Sequence, residues 1–183
     1  MLKHLILLAF LLFLSLPERA EGGASLALSM AELVNRADVI AHVRATGERA
    51  YFRGDRIITE VDLAVERAIA ERSSRRELRI MIPGGVVGSI GMRVEGAPRF
   101  KREAEAILFA SESERGLRAV GMSQGVFPIE RRGDVRVVQP SGHGLALYTR
   151  DVNGRLMRSR GALNAPLPLD EFIGLIEREL ESR

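Results

Sequence analysis

Asp38-Val-Ile-Ala-His-Val-Arg-Ala45 alternates residue by residue. Val39, Ala41, Val43 and Ala45 fall on one face, and Ile40, His42, Arg44 and Thr46 on the other. Successive side chains of an extended chain point to opposite sides, so a period of two marks a strand. Arg53-Gly54-Asp55 is a turn signal, and from Ile57 to Ile69 the alternation resumes, with Val61, Leu63 and Val65 inward and Glu60, Asp62 and Glu66 outward. Two long alternating runs around a short polar turn read as a hairpin. Downstream, Leu78, Ile80 and Ile82 alternate with Arg79 and Met81 until Pro83-Gly84-Gly85, and Ile90, Met92 and Val94 alternate with Gly91, Arg93 and Glu95 until Gly96-Ala97-Pro98. Ala104 to Ala110 carries Ile107-Leu108-Phe109, a buried strand; Leu117 to Met122, Val126 to Ile129 and, after Arg132-Gly133-Asp134, Val135 to Val138 complete the set. About eight strands at short, regular spacing predict a mainly β domain, a single antiparallel barrel or sandwich.

Helical signals flank this region. Ser29-Met30-Ala31-Glu32 is a capping box opening a short helix that carries Leu33 and Val34 and ends near Arg36. Leu169, Phe172, Ile173, Ile176 and Leu180 form one amphipathic stripe, which predicts a helix over about 167–181 closing an open end or covering a sheet edge. Arg72 to Arg76 is a polar connector, and Pro140 to Gly161, Gly-rich and basic, reads as loop with at most one weak hairpin.

The first residues read differently. A basic start (Met1 to His4), an apolar run (Leu5 to Leu16), Pro17 and the small residues of Ala20-Glu21-Gly22-Gly23-Ala24 make a secretory signal peptide, expected over 1–24. Its twelve-residue apolar run reaches only about 18 Å as a helix, short of the ~30 Å hydrocarbon core. Cleavage after Gly22 or Ala24 fits the small-residue rule, with Ala24 preferred. The expectation is an exported chain, periplasmic or extracellular, with a single domain over 25–183 and no stable membrane span once cut.

Composition narrows the function classes. The 183 residues include no Cys, which removes disulfides, thiolate metal sites and a cysteine nucleophile. Three His are too few for a His-rich metal site, and no Trp with 5% aromatics argues against a stacking platform for nucleic acid. Nothing in the sequence calls for a cofactor. The net charge is +3, and Lys3 and Lys101 are the only lysines, so Arg carries nearly all the basic charge. The acids are interleaved with the arginines, a mixed surface that serves solubility.

Several motifs carry candidate chemistry. Gly84-Gly85-Val86-Val87-Gly88-Ser89-Ile90-Gly91 resembles a phosphate-cradling loop, but it lacks the Lys of a P-loop and the spacing of a dinucleotide fingerprint. Glycines in strand-rich segments mark bends or close backbone approach, and that structural reading is preferred, with Gly84, Gly85, Gly88 and Gly91 kept as candidate ligand contacts. In Gly121-Met122-Ser123-Gln124-Gly125 the Gln124 amide either ties an irregular junction to its neighbours or, with Gly125, faces a ligand; the structural role is again preferred. The two Arg-Gly-Asp tripeptides at 53–55 and 132–134 are turn residues in an Arg-rich chain. His143, in Ser141-Gly142-His143-Gly144, lacks a nucleophile elbow or an orienting acid nearby in sequence, and His42 lies on a strand face as a solvated or hydrogen-bonded side chain. Arg150 to Arg160 holds four arginines against Asp151 alone, a stretch able to meet an anionic polymer, lipid headgroup or acidic protein, although a solvated loop is the simpler account.

From Asp38 onward the order of segments resembles an uncharacterised family of secreted bacterial proteins of the myxobacterial type. The matching blocks are Ala37-Asp38-Val39-Ile40-Ala41, Ile57-Ile58-Thr59-Glu60-Val61, Pro83 through Phe100, and Val120 through Phe127, together spanning roughly residues 29 to 138. The family carries no activity to transfer. Lys101-Arg102-Glu103-Ala104 departs from it, lacking the Gly of a Gly-Glu turn. More remotely the strand order is similar to netrin-like and metalloprotease-inhibitor domains, which implies an OB-like barrel; their inhibitory N-terminal Cys is missing here.

The leading expectation is therefore an exported, non-enzymatic binding module for a protein or envelope component. One alternative is a hydrolytic enzyme with a site near Gly84–Gly91, which requires Ser89, Gln124, His42 and an acid to converge. The other is a structural envelope protein that oligomerises through sheet edges.

Overall fold

A computed structural model describes residues 23–70 and 75–182. The signal segment before residue 23 and connector residues 72–74 lie outside them. In chain order the elements are β1 (Ala24–Leu26), α1 (Met30–Arg36), β2 (Val39–Arg53), β3 (Arg56–Ala68), β4 (Glu77–Pro83), β5 (Gly85–Val87), β6 (Ile90–Met92), β7 (Glu105–Ser111), β8 (Arg118–Ala119), β9 (Val126–Arg132), β10 (Val135–Val138), β11 (Ala146–Arg150), β12 (Leu156–Arg158), β13 (Leu167–Pro168) and α2 (Leu169–Glu181). Strand accounts for 48% and helix for 15%, which makes the fold mainly β with two helices.

The β2–β3 hairpin forms as its alternation predicts, pairing from Ala41↔Ala68 to Arg53↔Arg56 across the Gly54 turn, with bulges at His42/Val43 and Ala45/Gly47. It is the spine of the main sheet, whose order is β13-β10-β9-β7-β2-β3-β4, with β8 also on β7. Neighbours in this path are antiparallel. No ladder between β4 and β13 closes the sheet among the described residues. A narrower link does exist: Ile80 of β4 forms a parallel bridge with Leu117, just before β8, and Met81 N–H donates to the Leu117 carbonyl at 2.9 Å.

The two faces of β2 serve different cores. Val39, Ala41, Val43 and Ala45 pack with Val61 and Leu63 of β3, Leu78, Ile80 and Ile82 of β4, and Ala106 and Leu108 of β7, an interior of small and branched side chains. Ile40 faces the other way and joins Ile107, Phe109, Phe127 and Val138 under both helices. There α2 buries Leu169, Phe172, Ile173 and Ile176. The helix lies over one end of the sheet: Phe172 packs on Phe127 of β9, and the helix also meets β10, the edge strand β13 and α1.

Four expectations change. The strand expected over 117–122 shrinks to β8, since Gly121 and Met122 both take positive φ and open a 3-10 turn over Met122–Gly125. The strand expected through Val94 stops at Met92 and belongs to a separate two-stranded flap with β5. The stretch 140–161 contains a formed hairpin, β11–β12, completed by the parallel strand β1. The C-terminal helix starts at Leu169, because Leu167 and Pro168 pair with β10. The glycine-free turn at 101–104 is made by Glu103, which adopts φ 62° while its N–H donates to Ala45 O and its carboxylate meets Arg44 at 2.7 Å.

The capping box at α1 is complete: Ser29 Oγ accepts from Glu32 N–H, and the Glu32 carboxylate accepts from Ser29 N–H at 2.8 Å. That backbone bond, first, then the Ser29 hydroxyl and Arg36 hold the Glu32 carboxyl below its usual range, against a partial desolvation. A depressed carboxyl pKa in the folded state stabilises above the ordinary carboxylate range and ceases to do so as pH falls through the lowered value. Ser29→Ala is expected to cost about 1 kcal/mol. Glu32→Gln is expected to be less stable than the native chain in urea melts at pH 7 and indistinguishable from it at strongly acidic pH, where Glu32 is protonated.

Candidate functional site

A cleft of about 730 Å³ opens between the hairpin and the flap. Its floor is Ala50 of β2, Thr59 and Val61 of β3 and Ile82 of β4; its walls are the flap and the segment Arg93 to Phe100. The glycine pair after β4 makes this shape possible. Gly84 and Gly85 have φ of 95° and 137°, and a β-carbon on Gly85 would overlap Thr59 Oγ1. Thr59 Oγ1 donates to Gly84 O at 2.7 Å, and Gly84 N–H donates to Ile57 O at 2.8 Å, so the chain leaves β4 and folds back pinned against the hairpin.

Charge is distributed unevenly around the cleft. Arg93 is paired with Glu95 at 2.6 Å. Arg99, an exposed lining residue, has no ion pair or hydrogen bond among the described residues. Glu48 lies on the hairpin wall. On the hairpin's outer side Glu60 is engaged, accepting from Tyr51 Oη and Arg49, and these bonds hold its carboxyl below the usual range.

The glycine-rich candidates divide. Gly84, Gly85 and Gly91 line the cleft, while Gly88 stands exposed at the flap tip with open space around it. Gln124 and Gly125 lie elsewhere. Gln124 borders a second cleft of about 450 Å³ beside β1 and α1, but its amide is already used. Oε1 accepts from Leu28 N–H at 2.8 Å, and Nε2 donates to Leu26 O at 3.1 Å and Ser25 Oγ at 3.3 Å. A β-carbon on Gly125 would overlap Val120 O and lie 2.8 Å from Phe109 O. Gln124 and Gly125 are thus packing residues that dock the start of the domain on the sheet.

The hydrolytic constellation does not assemble. Ser89 is exposed at the flap tip. His42 is 3% exposed, with Nε2 2.8 Å from Glu105, whose carboxylate also lies 3.9 Å from Arg136. His143 and Ser123 border a third cavity of about 310 Å³, where Ser123 Oγ donates to the His143 carbonyl. Among the described residues no three His, Asp or Glu side chains gather as a metal site. Both Arg-Gly-Asp tripeptides sit at hairpin turns, and Arg53 donates to Tyr51 Oη.

Sequence reasoning missed the walls that Arg93 to Phe100 supply to the cleft. Arg99, immediately after the Gly96-Ala97-Pro98 turn, was the available signal: an arginine with no acid at strand spacing to pair with.

Comparisons with protein-family models, curated proteins and solved structures found no match.

Proposed function

We propose that the chain is an exported, non-enzymatic binding module that holds an anionic segment of a protein or envelope component in the cleft between hairpin and flap. The observation that carries this is the cleft itself: its volume falls within the 300–1,000 Å³ typical of ligand sites, its floor sets Ala50, Val61 and Ile82 beside Thr59, and Arg99 on its wall has no partner among the described residues. A guanidinium offers a carboxylate or phosphate a bidentate fork. The strand path β7-β2-β3-β4, with the Leu117 bridge leading through β8 back to β7, resembles a partly open OB-like barrel, an architecture used mainly for binding.

The test is a capture experiment from the exported fraction of the source cells. The native chain is expected to retain a partner that both Arg99→Glu and Ala97→Trp lose while their melting temperatures stay native. Retention of the same partners by all three, or of none by the native chain, refutes the cleft as the site.

Export itself motivates a further expectation. Gly23 O accepts from Ala146 N–H at 2.7 Å, and Ala24 pairs with Ala146 in β1. A cut after Ala24 would remove both, whereas a cut after Gly22, behind Ala20-Glu21-Gly22, leaves β1 whole. N-terminal sequencing of the exported protein is expected to begin at Gly23; a start at Ser25 would contradict it.

A further inference from the structure

We propose that the small sheet β1–β11–β12 seats this domain on an anionic lipid surface. Its β11–β12 hairpin projects Val152, fully exposed, at the turn, with Leu156 and Met157 on the return strand 56% and 51% exposed. The register puts Leu26, Tyr148, Arg150, Leu156 and Arg158 on one face of the sheet, and Leu26 is 53% exposed. The Arg158 guanidinium lies 5.4 Å from the Tyr148 ring centre. Arg155 adds a further cation beside the tip.

The hairpin's one acid is engaged by backbone within the turn. One oxygen of Asp151 accepts from Asn153 N–H and Arg155 N–H, both at 2.8 Å. Across the adjoining cleft Glu32 is engaged by Ser29 and Arg36. The hairpin therefore presents apolar tips, an interfacial aromatic and net positive charge, the combination that binds anionic bilayers by shallow burial plus headgroup attraction. A polyanionic polymer would use the arginines but leave Val152, Leu156 and Met157 in water, and a protruding two-stranded tip offers less area than a flat protein interface needs. Chain continuity points the same way. This rests on the export reading proposed above: the apolar run Leu5–Leu16, which engages a bilayer before cleavage on that reading, ends seven residues before β1, at most about 25 Å of extended chain.

The chain has no Cys, so Val152→Cys in the full chain takes a single polarity-sensitive fluorophore at the tip. Phosphatidylglycerol vesicles are expected to shift its emission to the blue, phosphatidylcholine vesicles are not, and adding Arg150→Glu and Arg155→Glu is expected to abolish the shift. The same label at Ser89→Cys is the control and is expected to stay unshifted. No shift with anionic vesicles, an equal shift with phosphatidylcholine, or an equal shift at Ser89→Cys would overturn the proposal. A shift produced by polyglutamate and by neither vesicle would also overturn it, reassigning the hairpin to an acidic protein.

Discussion

Phe127→Ala is expected to lower the unfolding free energy by about 3–5 kcal/mol, a large share of the 5–15 kcal/mol that holds an ordinary domain together. Phe127 is fully buried on β9. Its ring packs edge-on to Phe109 of β7 at 5.7 Å between centres and against Phe172 of α2 at 4.8 Å. Removing it empties the point where sheet meets helix, and neither neighbour can close the gap, since each is fixed in its own element. Phe127→Leu keeps most of the volume and is expected to cost about 1 kcal/mol. Phe52→Ala, at an exposed position near the hairpin tip, is expected to stay within about 0.5 kcal/mol. Urea titrations of the three variants measure this; a Phe127→Ala loss no greater than that of Phe52→Ala would show that the helix-covered core does not depend on this contact.

Gln124→Leu is expected to cost about 2–3 kcal/mol. The side chain keeps its bulk but loses the acceptor for the buried Leu28 N–H and the donor for Leu26 O. An orphaned buried N–H bears its full desolvation penalty, while Leu26 O can still reach water. The loss is local before it is global: amide exchange at Leu28 is expected to accelerate in the variant more than exchange at Ile107 in the sheet centre. Gln124→Glu tests the geometry separately, because a carboxylate still accepts from Leu28 but faces the Leu26 carbonyl without a proton. A variant with native stability and native protection at Leu28 would show that the amide's bonds hold nothing in place.

The legible strands carried one of two patterns. In β2, β3 and β4 the side chains alternate because the two faces meet different environments, Val39, Ala41 and Val43 inward and Ile40 outward beneath the helices, while β7 is legible as a continuous apolar run buried on both faces. Both helices announced themselves as well, one by its capping box and one by its stripe. What stayed hidden had no such contrast. β1 and β12 are three residues each, too short for a period to show, and β5 is as short, with no buried residue to set one face apart from the other. The partial clustering of the glycine candidates was equally invisible, because Gly121 and Met122 turn the chain before Gln124 and send its amide toward Leu28 rather than toward the cleft. His42 was legible as a strand histidine either solvated or hydrogen-bonded; its burial and its partner Glu105, 63 positions away, were not.

β1 lies alongside β11 as a parallel neighbour, although the two are about 120 positions apart along the chain. Contacts so distant in sequence form late, because a long loop must be closed before any of them stabilises. A chain emerging from its N-terminus therefore carries Ala24–Leu26 unpartnered until Tyr148 arrives, while the β2–β3 hairpin can already zip from its own turn. Among the described elements, order begins at the β2–β3 hairpin and reaches β1 last.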